Sequence, residues 1–254
     1  MRVIIVNNYE EMSRKAAHIV ASQIILKPNS VIGLATGDTP LGMYRELVKL
    51  YHSGDIDFSK TTTFNLDEYY GLDPNNPHSY YYYMQENLFK HINIERNRMH
   101  LPRGMCHDIE KECNEYEEKI QESGGIDIQV LGIGRNGHIG FNEPDIKFEA
   151  RTHMVDLDED TIQANSRFFS SIDEVPKKAI SMGIKTIMHA RKILLLAQGI
   201  EKAQAIYQTI YGKITPEVPA SVLQLHPDVT LVIEELAASL LGLEKETRSK
   251  EFWI

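Results

Sequence analysis

Short apolar runs recur along this chain, and each is followed within a few residues by apolar positions at helical spacing. Val31-Ile32-Gly33-Leu34-Ala35 and Ile193-Leu194-Leu195-Leu196-Ala197 read as buried strands, as do residues 126–131 and 229–233. Residues 2–6 and the β-branched segment 61–66 are two further strand candidates. Between them, residues 10–26 place Ala16, Ile19, Val20, Ile24 and Ile25 on one helical stripe. Pro40 is expected to open a helix that runs to Leu50, with proline in the favoured first position. Residues 110–121 predict a charged surface helix, 202–211 a helix after the strand at 193–197, and 234–240 a short last helix. Strand and helix in alternation imply right-handed crossovers and a mostly parallel sheet covered on both faces. The 254 residues contain no Pro/Gly/Ser-rich linker, internal repeat or low-complexity tract, so the expectation is one domain, 1–254.

Composition narrows the function. A formal charge of −9 argues against nucleic-acid binding. No apolar run reaches the roughly 18 residues of a membrane helix, and residues 1–6 are too short for a signal-peptide core. Cys106 and Cys113 lack metal-ligand spacing and read as reduced thiols. A cytoplasmic protein without membrane contact is expected. If so acidic a chain binds an anion, it must gather local positive charge at the site.

In open parallel sheets, ligands bind beyond the carboxyl ends of the strands, so the loops after strands matter most. Thr36-Gly37-Asp38-Thr39 joins a buried strand to a helix N-terminus, a place suited to phosphate. It also reads as an ordinary turn capped by Thr39. Asp67-Glu68 follows the strand at 61–66 and is either a solvated turn or a source of a general base. The third loop runs Gly132-Ile133-Gly134-Arg135-Asn136-Gly137-His138-Ile139-Gly140-Phe141-Asn142-Glu143-Pro144. Its glycines match GxGxxG, but no amphipathic helix follows and Pro144 interrupts, so a dinucleotide site is rejected. The alternative is a tight turn that gathers Asn136, His138 and Glu143 for proton transfer. No second His or Cys stands at ligand spacing from His138, so no metal is expected. Arg167 and Lys202 are candidate positive charges for an anion. The tyrosine run 80–83 is expected to be a packed helix face without a catalytic role.

These segments, together with Ala164-Asn165-Ser166-Arg167-Phe168-Phe169 and Leu223-Gln224-Leu225-His226-Pro227, resemble the glucosamine-6-phosphate deaminase (isomerase) family over essentially the whole chain. The resemblance implies a three-layer α/β/α, Rossmann-like fold with a mobile lid at about 157–180. It implies conversion of glucosamine 6-phosphate and water to fructose 6-phosphate and ammonia, in amino-sugar catabolism and N-acetylglucosamine utilisation, without a cofactor. Asp67 matches the base that moves the C2 proton to C1. His138 matches the ring-opening residue, supported by Asn136 and Glu143. Thr36, Gly37, Asp38, Thr39, Arg167 and Lys202 match the phosphate site.

Three departures stand out. Asn136 occupies a position where some members carry aspartate, which leaves Glu143 as the charged partner of His138. Asp38 sits in the phosphate loop, and its side chain is expected to point away. Some members are hexamers activated by N-acetylglucosamine 6-phosphate. Here the effector positions read Ile146, His153, Val155 and Asp156, which are poor phosphate ligands, so that activation is expected to be absent. The assembly is a monomer or a homo-oligomer. Alternatives of the same fold are a 6-phosphogluconolactonase-like hydrolase and a deaminase for another amino-sugar phosphate epimer. A sugar-phosphate sensor is the alternative outside catalysis.

Overall fold

The apolar runs form strands of one sheet. The computed structural model describes residues 1–166, 169–242 and 250–253. The main sheet takes β1 (Arg2–Val6), β2 (Val31–Leu34), β3 (Thr62–Asn65), β5 (Met99–His100), β6 (Ile128–Leu131), β9 (Ile193–Ala197), β10 (Val229–Glu234) and β11 (Lys250–Trp253). A small antiparallel sheet takes β4 (Asp67–Tyr69), β7 (His153–Asp156) and β8 (Lys178–Ser181). The helices are α1 (Tyr9–Leu26), α2 (Asp38–His52), α3 (Tyr80–Asn87), α4 (Ile109–Glu122), α5 (Glu159–Asn165), α6 (Ile184–Met188) and α7 (Ala203–Tyr211).

The main sheet runs in the order β11-β1-β10-β9-β6-β2-β3-β5, and only β11 pairs antiparallel. Alternate residues of each strand feed two cores. Ile32, Leu34, Val130 and Leu196 pack under α1, α2 and α3, against Val20, Met43 and Met84. Val31, Leu131, Leu195 and Ile233 pack on the other face, against Tyr116 of α4, Ile187 of α6 and Ile206 of α7. This is the three-layer α/β/α arrangement with a mostly parallel sheet.

Two helix boundaries differ from expectation. Helix α2 begins at Asp38, so Pro40 is its third residue and Thr39 is not its cap. Gly37, at φ 93°, turns the chain into the helix and supplies no side-chain cap. The Tyr9 hydroxyl bridges the Asp38–Gly42 pair of the first turn, accepting from Gly42 N at 2.7 Å and donating to Asp38 O at 2.8 Å. Beyond β10, residues 235–240 form successive turns rather than a helix. Their bonds include three-residue links such as Leu241 N to Ala238 O at 2.9 Å, as expected of a segment too short to sustain helix nucleation.

The small sheet has no counterpart in the sequence reading. Its strands are three or four residues long, and all three carry charged residues. It matters because Asp67 opens β4, where it pairs with Ser181 of β8.

Candidate active site

The loop after β6 is folded back on itself. Gly134 N donates to His138 O at 2.9 Å, and Gly137 N donates to Gly134 O at 3.2 Å. Gly137 adopts φ 87°, a conformation that other residues rarely take. The imidazole of His138 lies over Gly134, where a Cβ would come within 2.4 Å of its Nδ1. Any side chain at position 134 would displace the ring.

Inside this turn the expected trio converges. His138 Nδ1 lies 2.9 Å from Glu143 Oε2. Asn136 Nδ2 donates to the same oxygen at 2.9 Å, and Asn136 Oδ1 accepts from His138 N at 3.1 Å. Thr161 of α5 donates its hydroxyl hydrogen bond to the other oxygen, Glu143 Oε1. Burial pushes the Glu143 carboxyl up, but the hydrogen bonds from His138, Thr161 and Asn136 outweigh it and hold the group below its usual range. A carboxylate at Nδ1 fixes the hydrogen there in the neutral ring, so Nε2 carries the lone pair. Among the described residues, Nε2 has no hydrogen-bond partner.

Neither adjacent carboxylate lies in a solvated turn; both are buried, and they do different things. Glu68 accepts from Tyr69 N and Tyr80 N at 2.9 Å each and from Tyr81 N at 2.8 Å. It thereby caps α3, although burial still raises it to about 7. Among the described residues, nothing donates a hydrogen bond to the Asp67 carboxylate. Burial first, then the charge of Glu68, raises it to about 8. The loop bearing His138 passes directly beside it. A Cβ on Gly140 would lie 3.8 Å from Asp67 Oδ2, and Phe141 N donates to Ser181 Oγ, on the residue paired with Asp67, at 3.0 Å.

The loop after β2 lies on the strand next to β6. Its residues lead into the N-terminus of a 15-residue helix, whose first-turn N–H groups lack intrahelical acceptors. The Thr36 side chain is hydrogen-bonded to Tyr80, and Tyr83 OH donates to Gly37 O at 2.7 Å. Asp38 is exposed. Lys202 sits on the turn after β9, on the other side of β6. Arg167 lies outside the described residues, as does part of the expected lid.

The main-sheet loops that sequence reasoning singled out thus follow β2, β6 and β9, three adjacent strands, and Asp67 follows β3 beside β2. Two contributors went unread. Thr161 reaches Glu143 from a distant segment, a contact that no local pattern encodes. The tyrosine run contributes more than packing, since Tyr80 bonds Thr36 and stacks on Phe141 with centroids 6.0 Å apart. Among the described residues, no His/Cys/Asp/Glu group is arranged to hold a metal, and no helix is long and apolar enough to cross a membrane.

The model of the glucosamine-6-phosphate isomerases/6-phosphogluconolactonase family matches residues 7–232. The chain belongs to this family. Within it, a glucosamine-6-phosphate deaminase of Clostridium botulinum is 63% identical over 244 residues, covering 96% of this chain and all of the relative. A glucosamine-6-phosphate deaminase of Halothermothrix orenii is 64% identical over 241 residues, covering 95% and 100%. The solved structure of a monomeric glucosamine-6-phosphate deaminase of the NagB superfamily superposes with a TM-score of 0.92 at 50% identity, covering 94% of this chain and all of that one. The 6-phosphogluconolactonase of Thermotoga maritima shares the family fold, with a TM-score of 0.73 at 18% identity over 91% and 98% of the two chains.

Proposed function

We propose that this protein converts glucosamine 6-phosphate and water to fructose 6-phosphate and ammonia. The observation that carries the reading is the division of labour between its buried acids. Glu143 orients His138, Glu68 caps a helix, and Asp67 is left without a hydrogen bond beside the same loop. Deaminases more than 60% identical over their full length support the substrate.

The phosphate binds at the N-terminus of α2, with the 36–39 loop, Lys202 and Arg167 supplying local positive charge to an acidic chain. His138 Nε2 removes the hydrogen of the anomeric hydroxyl and returns it to the ring oxygen. The C1–O5 bond breaks and the open-chain aldehyde forms. Asp67 then takes the C2 proton while the C2 ammonium gives up one proton and O1 gains it, leaving a neutral enolamine. The same carboxyl delivers its proton to C1, leaving an imine at C2. Water adds to C2, ammonia leaves, and the ketone remains. No electrons leave the substrate, so the sequence calls for no redox cofactor.

The raised Asp67 suits this order. The C2 ammonium of the substrate brings the opposite charge that favours the carboxylate form at the moment a base is needed. Segment 157–180 acts as a lid that keeps water from the enolamine.

The test is product analysis with two substrates. Glucosamine 6-phosphate is expected to yield ammonia and fructose 6-phosphate in equal amounts, and 6-phosphogluconolactone is expected to be hydrolysed no faster than in buffer. The opposite pattern would transfer the chain to the lactonase side of the family.

A further inference from the structure

We infer that Thr161 is a positioning residue for ring opening: its hydroxyl fixes the carboxylate of Glu143, and through it the imidazole of His138. The inference rests on the deaminase reading and deepens it.

The two oxygens of Glu143 are used unequally. Oε2 receives both His138 Nδ1 and Asn136 Nδ2, each at 2.9 Å. Both donors come from the same glycine-rich turn, so they move with it. Among the described residues, Oε1 is held by Thr161 alone. A carboxylate bonded through one oxygen can still swing about its side-chain torsions, because such terminal torsions are broad. A donor on the second oxygen removes that freedom and sets the direction in which Oε2 faces the ring. Thr161 is suited to this task, since it is only 6% exposed and its β-branched side chain has restricted rotamers.

The bond also joins two separately built parts of the molecule. Glu143 stands in the loop after β6, whereas Thr161 stands on α5. The neighbouring Leu157 and Ile162 dock against Tyr69, Phe141 and Ala179, a small core apart from the two faces of the main sheet. The Thr161 hydroxyl therefore makes the orientation of the catalytic imidazole depend on how α5 is seated. Its hydrogen bond also contributes to holding Glu143 ionised, the state that accepts from Nδ1.

The experiment compares Thr161→Val, which keeps the shape, with Thr161→Ser, which keeps the hydroxyl. Two readouts are taken: steady-state kinetics of ammonia release, and the nitrogen-15 shifts of the His138 ring, assigned with His138→Gln. Loss of one hydrogen bond to a charged group is expected to lower kcat by about tenfold or more in Thr161→Val, with KM changed much less. The ring nitrogens should move toward a mixture of tautomers. Thr161→Ser should restore both. Wild-type kcat and ring shifts in a folded Thr161→Val protein would overturn the inference. Should Thr161→Val fail to fold, Thr161→Ser against Thr161→Ala decides the matter, equal kcat values overturning it. Wild-type protein that releases no ammonia would instead refute the deaminase reading itself, so the two failures are distinct.

Discussion

His138 Nδ1 lies 2.9 Å from Glu143 Oε2, and this contact determines which ring nitrogen faces outward. A glutamine at 143 offers either an oxygen or an amide nitrogen to the ring, so the tautomer is no longer fixed. Glu143→Gln is expected to lower kcat by roughly 10²-fold, within the range of general acid–base contributions, with the fold retained. Ammonia release together with a thermal melt checks this. An unchanged kcat would remove Glu143 from the mechanism.

Asp67 makes pH a direct probe. Its carboxyl is raised to about 8 in the folded chain, chiefly by burial. The unfolded chain loses the same proton near pH ~4. The stability tied to this group is therefore complete below about pH 4 and is lost as pH rises toward 8. Asp67→Asn removes this group's share of the dependence and leaves that of Glu68, which is also raised, to about 7. Between pH 5 and 8 the melting temperature of the wild type should fall by several degrees relative to the variant. In the same interval kcat/KM should rise, because the base must be ionised. Parallel melting curves for the two proteins would show that Asp67 is not buried as described.

Glu68 should matter for stability, where its neighbour matters for catalysis. Removing it strands the N–H groups of Tyr69, Tyr80 and Tyr81. Glu68→Ala is expected to cost about 1–3 kcal/mol, close to the loss of a helix cap plus a buried acceptor. For a chain of this size that is a fall of about 2–4 °C per kcal/mol. The kcat of the folded protein should change far less than for Asp67→Asn. Calorimetry and kinetics on the one variant separate the two effects.

Much of this was legible in the sequence because its signals are local. The runs at 31–35 and 193–197 announced β2 and β9, and the glycines around His138 announced a turn rather than a nucleotide loop. Asp67 and Glu68, by contrast, are indistinguishable as neighbours in a sequence. Only the return of α3 over β4 assigns Glu68 to its backbone donors. The small sheet and the Thr161 contact were illegible for the same reason, since short strands and single long-range hydrogen bonds carry no periodicity.

The positions after Asn142-Glu143-Pro144 bear on regulation. Ile146 is 94% exposed, Val155 packs into the small core, and Asp156 pairs with Lys178 at 3.0 Å. The adjoining 360 Å³ cavity is bordered by Glu143, Asp145, Glu149, Asp156 and Asp158, with Lys147 and His153. Such a surround repels a phosphate. The rate curve should be hyperbolic, and N-acetylglucosamine 6-phosphate should leave it unchanged. A sigmoidal curve relieved by that compound would refute this.

The most direct measurement follows ammonia and fructose 6-phosphate from glucosamine 6-phosphate in the wild type, Asp67→Asn and Glu68→Gln. Equal yields of both products from the wild type are expected, with a fall of at least roughly 10³-fold in Asp67→Asn and a modest change in Glu68→Gln. Wild-type protein that forms neither product, or an Asp67→Asn variant that stays active while Glu68→Gln does not, would contradict the assignment.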